Sequence, residues 1–168
     1  PPPTEQQYKE RVLAGLQRMA QSGFVAVHEA GAETRHMKAF EALQAEGRLP
    51  VRVYARLSAR DGELCRRWLA RGPDNKAAGM LVTRSVKAYY DGALGSRGAR
   101  LLADYSDRPG HRGISGEGYG FDQKIVADMM RAGFQVGVHA IGDAGNRETL
   151  DFLASVLSGS EKARGLRH

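Results

Sequence analysis

The feature that most constrains this chain is an alternation: short apolar stretches, each followed by residues at helical spacing, repeated along the sequence. Phe24-Val25-Ala26-Val27-His28, Val51 to Leu57, Val86 to Tyr90 and Phe134 to Ala140 are short and rich in β-branched or aromatic residues. They read as strands covered on both faces. A first helix is opened by a capping box at Thr4 and Gln7, repeats Tyr8, Val12, Leu16 and Met19, and stops at Gly23. Thr34 is expected to cap a second helix that buries Met37, Phe40 and Leu43 and ends at Gly47. Asp61 opens a third through Trp68, ending near Gly72-Pro73. Asp122 opens a fourth with Ile125, Val126, Met129 and Met130, stopped at Gly133. A last helix runs from about Ala144 to Leu157. Strands alternating with helices mean a parallel sheet with helices outside.

The stretch Met80 to Tyr90 is long for one strand, and a turn near Thr83-Arg84 is expected to divide it. Two units look alike: Gly23-Phe24 and Gly133-Phe134 each lead into a strand that ends on a histidine, His28 and His139. Repeated βα units are the grammar of a barrel. Four strands are half of what a closed (β/α)8 barrel needs, so an open sheet and the pairing of two halves both stand as alternatives. The expected fold is α/β, a partial (β/α)8 barrel forming one domain over residues 1–168.

Composition excludes several classes. With 42% apolar and 26% charged residues, the chain is rich enough in core-forming side chains to fold. No apolar run approaches the roughly 20 residues of a membrane span. The net charge is +6, yet the arginines are scattered and never interleave with aromatics, which argues against a nucleic-acid partner. A single cysteine, Cys65, allows no internal disulfide and fits a reducing, cytoplasmic setting. It reads as a packed core thiol beside Leu64, Trp68 and Leu69. The ends suggest a fragment: Pro1-Pro2-Pro3 lacks an initiator methionine, and Gly165-Leu166-Arg167-His168 reads as the approach to a further strand. A signal peptide upstream stays open.

Function in parallel α/β folds collects at the C-terminal ends of strands. His28, Lys87 and His139 are placed there or just inside. An apolar-strand histidine is often only a satisfied core residue. A lysine inside a buried strand needs either a partner acid, here Asp91 or Asp143, or a depressed pKa. The chemical alternative is that a neutral Lys87 amine adds carbon dioxide, giving a carbamate able to bridge metal ions. The loop Asp91 to Gly98 could cradle a phosphate on glycine-freed amides, but it fits neither the Walker nor the dinucleotide pattern. The whole connection after Tyr90 runs for about thirty residues, a length usual for functional or mobile loops.

Three strings together resemble the metal-dependent hydrolases of the amidohydrolase superfamily, in the amidohydrolase 3 branch that includes N-substituted formamide deformylase. They are Gly23-Phe24-Val25-Ala26-Val27-His28-Glu29-Ala30-Gly31, Val86-Lys87-Ala88-Tyr89-Tyr90-Asp91-Gly92-Ala93-Leu94-Gly95-Ser96-Arg97, and Gly133 to Asp143 with His139 near its centre. Tyr105-Ser106-Asp107 ahead of Gly113 extends the likeness through the long loop. The resemblance implies a (β/α)8 barrel of which this chain supplies strands two to five. It places Lys87 at the fourth-strand metal-ligand position and His139 at the fifth, with Asp91, Arg97 and Asp143 near the substrate pocket. It implies a divalent metal, zinc, and a small amide-type substrate whose C–N bond is cut by metal-activated water. The departures are specific: no His-x-His pair occurs, and the sixth-strand His and eighth-strand Asp are absent; His168 precedes the sixth-strand ligand and is not that ligand. The isolated chain is therefore expected to be inactive and to associate, either with a second copy or with the remainder of its own protein. The rival reading is a non-catalytic half-barrel module that self-associates and binds no metal.

Overall fold

In the computed structural model, which describes residues 1–74 and 79–168, helix α1 (Glu5–Gln21) opens on the expected capping box. The Thr4 hydroxyl accepts from the Gln7 N–H at 3.2 Å, and the Gln7 side chain accepts from the Thr4 N–H at 3.0 Å. There follow β1 (Ala26–Ala32), α2 (Thr34–Ala45), β2 (Arg52–Ser58), α3 (Gly62–Arg71) and β3 (Leu81–Tyr89). After a long loop with one 3-10 turn (Gly116–Tyr119) come α4 (Gln123–Ala132), β4 (Gln135–His139), α5 (Asp143–Ser158) and α6 (Glu161–Arg164). The four strands lie side by side in the order β1-β2-β3-β4, all parallel. Each crossover carries a helix to the same side of the sheet, as parallel pairing with right-handed connections requires. The architecture is an α/β partial (β/α)8 barrel. No helix among the described residues is long and apolar enough to cross a membrane.

Alternation along each strand separates the two faces. Val53, Ala55 and Leu57 of β2, Val86 and Ala88 of β3 and Val136 of β4 face the helices, where Leu43, Leu64, Val126, Met129, Met130 and Phe134 complete the core. Every one of these is buried, and truncating one, such as Leu57 to Ala, costs about 2–5 kcal/mol. The opposite face carries His28, Tyr54, Arg56, Lys87, Tyr89 and His139, all at least partly open. This is the concave inner face, and it is polar where the helix face is apolar.

The structure corrects several expectations. Strand β1 is shifted: pairing starts at Ala26 against Arg52 and runs to Ala32, leaving Phe24 and Val25 55% and 84% exposed. As an edge strand it is not covered on both faces, and His28 is its third residue, not its last. The Met80–Tyr90 stretch does not turn. Tyr54 and Arg56 pair with Val82 and Ser85, so one β2 residue opposes Thr83 and Arg84 and the strand passes through a bulge. The N-cap of α2 is Glu33, not Thr34, which is already the first helical residue; its hydroxyl and N–H both donate to Asp61, at 2.7 and 2.8 Å. Asp61 also accepts from the Leu64 N–H at 3.0 Å, so one carboxylate anchors the starts of α2 and α3. The expected last helix is extended by the separate turn α6, which no periodicity announced.

Candidate functional site

Register places the two predicted ligand residues together. Lys87 pairs with Gly137 and Tyr89 with His139, so Lys87, Tyr89 and His139 share the inner face at the C-terminal ends of β3 and β4. The Tyr89 ring is the hub between them: the Lys87 ammonium lies 5.1 Å from its centroid and the His139 ring 5.8 Å. The Arg60 guanidinium stacks on the same ring at 4.6 Å and on Tyr119 at 4.9 Å. Tyr89 reaches over β2, its hydroxyl donating to the Ala30 carbonyl at 3.2 Å. Lys87 does not take the acid partner expected of it. It is half-buried against an aromatic face, and no carboxylate among the described residues forms an ion pair with it. Desolvation, reinforced by the neighbouring Arg56 guanidinium, holds its ammonium below the usual lysine range. A lysine of lowered pKa exposes more neutral amine, the form that reacts with carbon dioxide.

Asp91, Arg97 and Asp143, expected near a substrate pocket, hold the connections after β3 and β4 in place. Asp91 is fully buried. Its Oδ2 accepts from the N–H groups of Arg100 at 2.8 Å and Gly142 at 2.9 Å, and its Oδ1 from Ile141 at 2.9 Å. It thereby ties the connection after β3 to the one after β4. Its Oδ1 also stands 4.0 Å from the His139 Nε2, beyond hydrogen-bond length. Asp143 Oδ1 accepts from the Leu102 N–H at 2.9 Å and from Ala144 at 2.8 Å. Arg97, at a φ of 55°, makes a two-pronged pair with Asp107, its Nη2 at 2.7 Å and its Nε at 3.1 Å. Glycines let the loop strands approach: a side chain at Gly113 would meet the Ala99 carbonyl at 2.0 Å, and one at Gly142 the Arg100 carbonyl at 1.8 Å. The loop is also pinned to α5, where Glu148 accepts from the Tyr90 hydroxyl at 2.6 Å and from Arg100 at 3.2 Å. Burial and that bond push the Tyr90 hydroxyl up to about 12, so it remains a donor.

Tyr89, Arg60 and Arg56 are site residues that sequence reading missed. Only the period-2 alternation with Lys87 could have flagged Tyr89; Arg56 and Arg60 gave no local signal. His28 stays apart from the Lys87–His139 pair, stacking on Tyr54 at 4.8 Å near the other end of the inner face. For a metal, Lys87 and His139 supply suitable donor types on one face, which fits part of a coordination shell. No three His, Cys, Asp or Glu side chains come together to hold an ion among the described residues.

Comparison with known proteins follows the same line. Residues 1–167 match the family model described as the amidohydrolase family. The chain is 29% identical over 157 residues to YtcJ of Bacillus subtilis (strain 168), a stretch covering 89% of this chain and 28% of YtcJ. Two solved structures share its fold. One is an uncharacterized metal-dependent hydrolase from Pyrococcus furiosus, with TM-score 0.78, 27% identity, and coverage of 92% of this chain and 32% of that one. The other is an uncharacterized metal-dependent hydrolase from Pyrococcus horikoshii OT3, with TM-score 0.79, 24% identity, and coverage of 91% and 31%. The chain thus spans less than a third of the length of the relatives it matches.

Proposed function

The chain belongs to the amidohydrolase family, and from that premise we propose that it carries one wall of a metal-dependent active site that hydrolyses a C–N bond in a small amide, formamide or cyclic amide. The observation that supports this most directly is the placement of Lys87 and His139 on one face around Tyr89, at the strand ends where barrel chemistry is assembled. In this reading His139 offers an imidazole nitrogen. Lys87 offers either its neutral amine or, after its nitrogen forms a bond to carbon dioxide and releases a proton, a carbamate oxygen. A divalent ion such as zinc, when bound, supplies Lewis-acid polarisation of the substrate carbonyl and acidifies water. Tyr89 and Arg60 fix the flank of the Lys87 side chain, and Asp91, Asp143 and Arg97 hold the rim from which Ile141 and Leu94 project. The other ligands come from the part of the barrel that these residues do not include. That remainder also covers the inner face, in preference to a second copy, which would set Arg56 and Lys87 against their own likeness.

Metal analysis of a chain that includes the whole barrel tests the reading. Replacing His139 with Ala or Lys87 with Ala is expected to lower bound metal and amidase turnover together, by about tenfold or more. Full metal content and turnover in both variants would overturn it. The 168-residue chain alone is expected to show no turnover with added zinc.

A further inference from the structure

A lysine side chain is long and rich in rotamers, so Lys87 serves as a ligand beside His139 only if something restricts where its amine points. The ring of Tyr89 is built to do this. From β3 it reaches over β2 to β1, where its hydroxyl donates to the Ala30 carbonyl at 3.2 Å. It lands at an irregularity in β1, where pairing with β2 shifts between Ala30 and Ala32. Gly31, between them, has a φ of 128°, and a side chain there would meet the Tyr89 hydroxyl at 3.1 Å. The ring therefore takes up the inner face on the β1 and β2 side of Lys87, whose Nζ lies 5.1 Å from its centroid. The side left to the amine is that of β4, where His139 pairs with Tyr89.

The ring is itself held from the long loop. Arg60, just after β2, stacks its guanidinium on Tyr89 and on Tyr119, and its Nη2 donates to the Tyr119 carbonyl at 2.9 Å. A planar guanidinium can cover two rings at once; the point charge of a lysine cannot. Tyr119 ends the 3-10 turn of the loop, and its ring packs on Gly92, where a Cβ would stand 3.1 Å away. The start of that turn is bound to the end of β3, since the Gly116 N–H donates to the Tyr90 carbonyl at 2.9 Å. The series Gly92, Tyr119, Arg60, Tyr89 and Lys87 thus runs unbroken from the loop to the ligand position. Each link is a contact between two residues of this chain.

We propose that Tyr89 is a positioning residue of the hydrolytic site, turning Lys87 toward His139, and that Arg60 makes this setting depend on the 3-10 turn of the long loop. Tyr89 acts through Lys87, so the proposal rests on the reading of Lys87 as a metal ligand.

The test uses a chain that includes the whole barrel, first without metal and in buffer free of carbon dioxide. Isotope-labelled lysine side chains are followed by NMR, and the Lys87 signal is identified by its loss in Lys87→Ala. The ring current of Tyr89 should displace the Lys87 ε-methylene protons upfield. That displacement should vanish in Tyr89→Leu, persist in Tyr89→Phe, which keeps the ring, and shrink in Arg60→Lys and Tyr119→Leu. With zinc bound, Tyr89→Leu should lower kcat by about tenfold or more with KM changed less than about threefold, and Tyr89→Phe should recover most of the loss. An undisplaced Lys87 signal in the wild type, a displacement that survives Tyr89→Leu, or an unchanged kcat in that variant would overturn the proposal. Unmoved signals in both Arg60→Lys and Tyr119→Leu would overturn the coupling to the loop. A wild type with neither metal nor turnover would defeat the hydrolytic reading instead, and the ring-current result would still show whether Tyr89 sets Lys87. Should Tyr89→Leu fail to fold, Arg60→Lys, at an exposed position, and Tyr119→Leu decide the matter.

Discussion

Replacing Asp91 with Asn changes one buried oxygen to an amide nitrogen with almost no change in shape. The carboxylate accepts three backbone N–H groups and has no solvent contact. In Asp91→Asn the side-chain carbonyl keeps the pair of donors on Oδ2, Arg100 and Gly142. The new NH2 then faces the Ile141 N–H, donor against donor. Two charge-assisted bonds become neutral ones, a loss of about 1 kcal/mol each, and one buried donor is left unpaired at about 1–3 kcal/mol. The net loss is therefore about 3–5 kcal/mol, which for a chain of this length lowers the melting temperature by very roughly 10 °C. Urea unfolding measures the loss. Amide exchange at Ile141 and Gly142 shows whether it arises at the clamp, since those amides should speed up more than the β2 amides do. A loss below about 1 kcal/mol with unchanged exchange at both positions would show that Asp91 is not what joins the two loops.

Two further outcomes follow from the same geometry. Gly145→Ala lies in the first turn of α5, where alanine ordinarily gains up to about 1 kcal/mol, but its Cβ would stand 2.6 Å from Asp91 Oδ2. The expected sign is reversed, a loss of about 1–3 kcal/mol in urea unfolding, and a stabilised variant would refute the clamp geometry. Cys65 is fully buried, and burial pushes its thiol up to about 11 from an ordinary 9.0. The unfolded chain thus ionises first, so this thiol's contribution to stability is complete below about pH 9 and is lost as pH rises toward 11. Cys65→Ala should remove that part of the alkaline slope. A thiol reagent at pH 8 should label the wild type only after urea unfolding; rapid labelling of the folded chain would contradict the burial.

What the sequence made legible was what periodicity and capping encode locally. The capping box at Thr4, the aspartate N-caps at Asp61 and Asp122 and the apolar runs led to elements close to those observed. The inner-face neighbourhood of Lys87 and His139 followed from parity once the strand order was assumed. The errors share one physical origin. An apolar run such as Phe24 to Val27 reports a preference for burial, but which residues pair is settled by the partner strand, and Arg52 pairs with Ala26. Thr34 enters the helix one residue early and gives both its donors to Asp61, an acceptor far along the chain that no local pattern announces. Lys87 found the Tyr89 face instead of Asp91 because Asp91 was already engaged by three amides from two separate loops.

The same contrast explains why the inner-face cations escaped notice. Arg56 sits between Ala55 and Leu57 in a strand whose helix-facing residues carry the apolar signal, and any polar residue at its position satisfies the alternation. Its significance depends on Gly137, some eighty residues later, being small enough to lie beneath it, and on no carboxylate among the described residues reaching it. Charge left unpaired on a half-buried face is a property of the assembled sheet, not of any local stretch. A strand pattern can tell which residues turn inward; only the register tells which of them must find a partner. On this face an unpaired cation, Arg56, stands one level below the metal-ligand types Lys87 and His139, and no local stretch of sequence brings the three together.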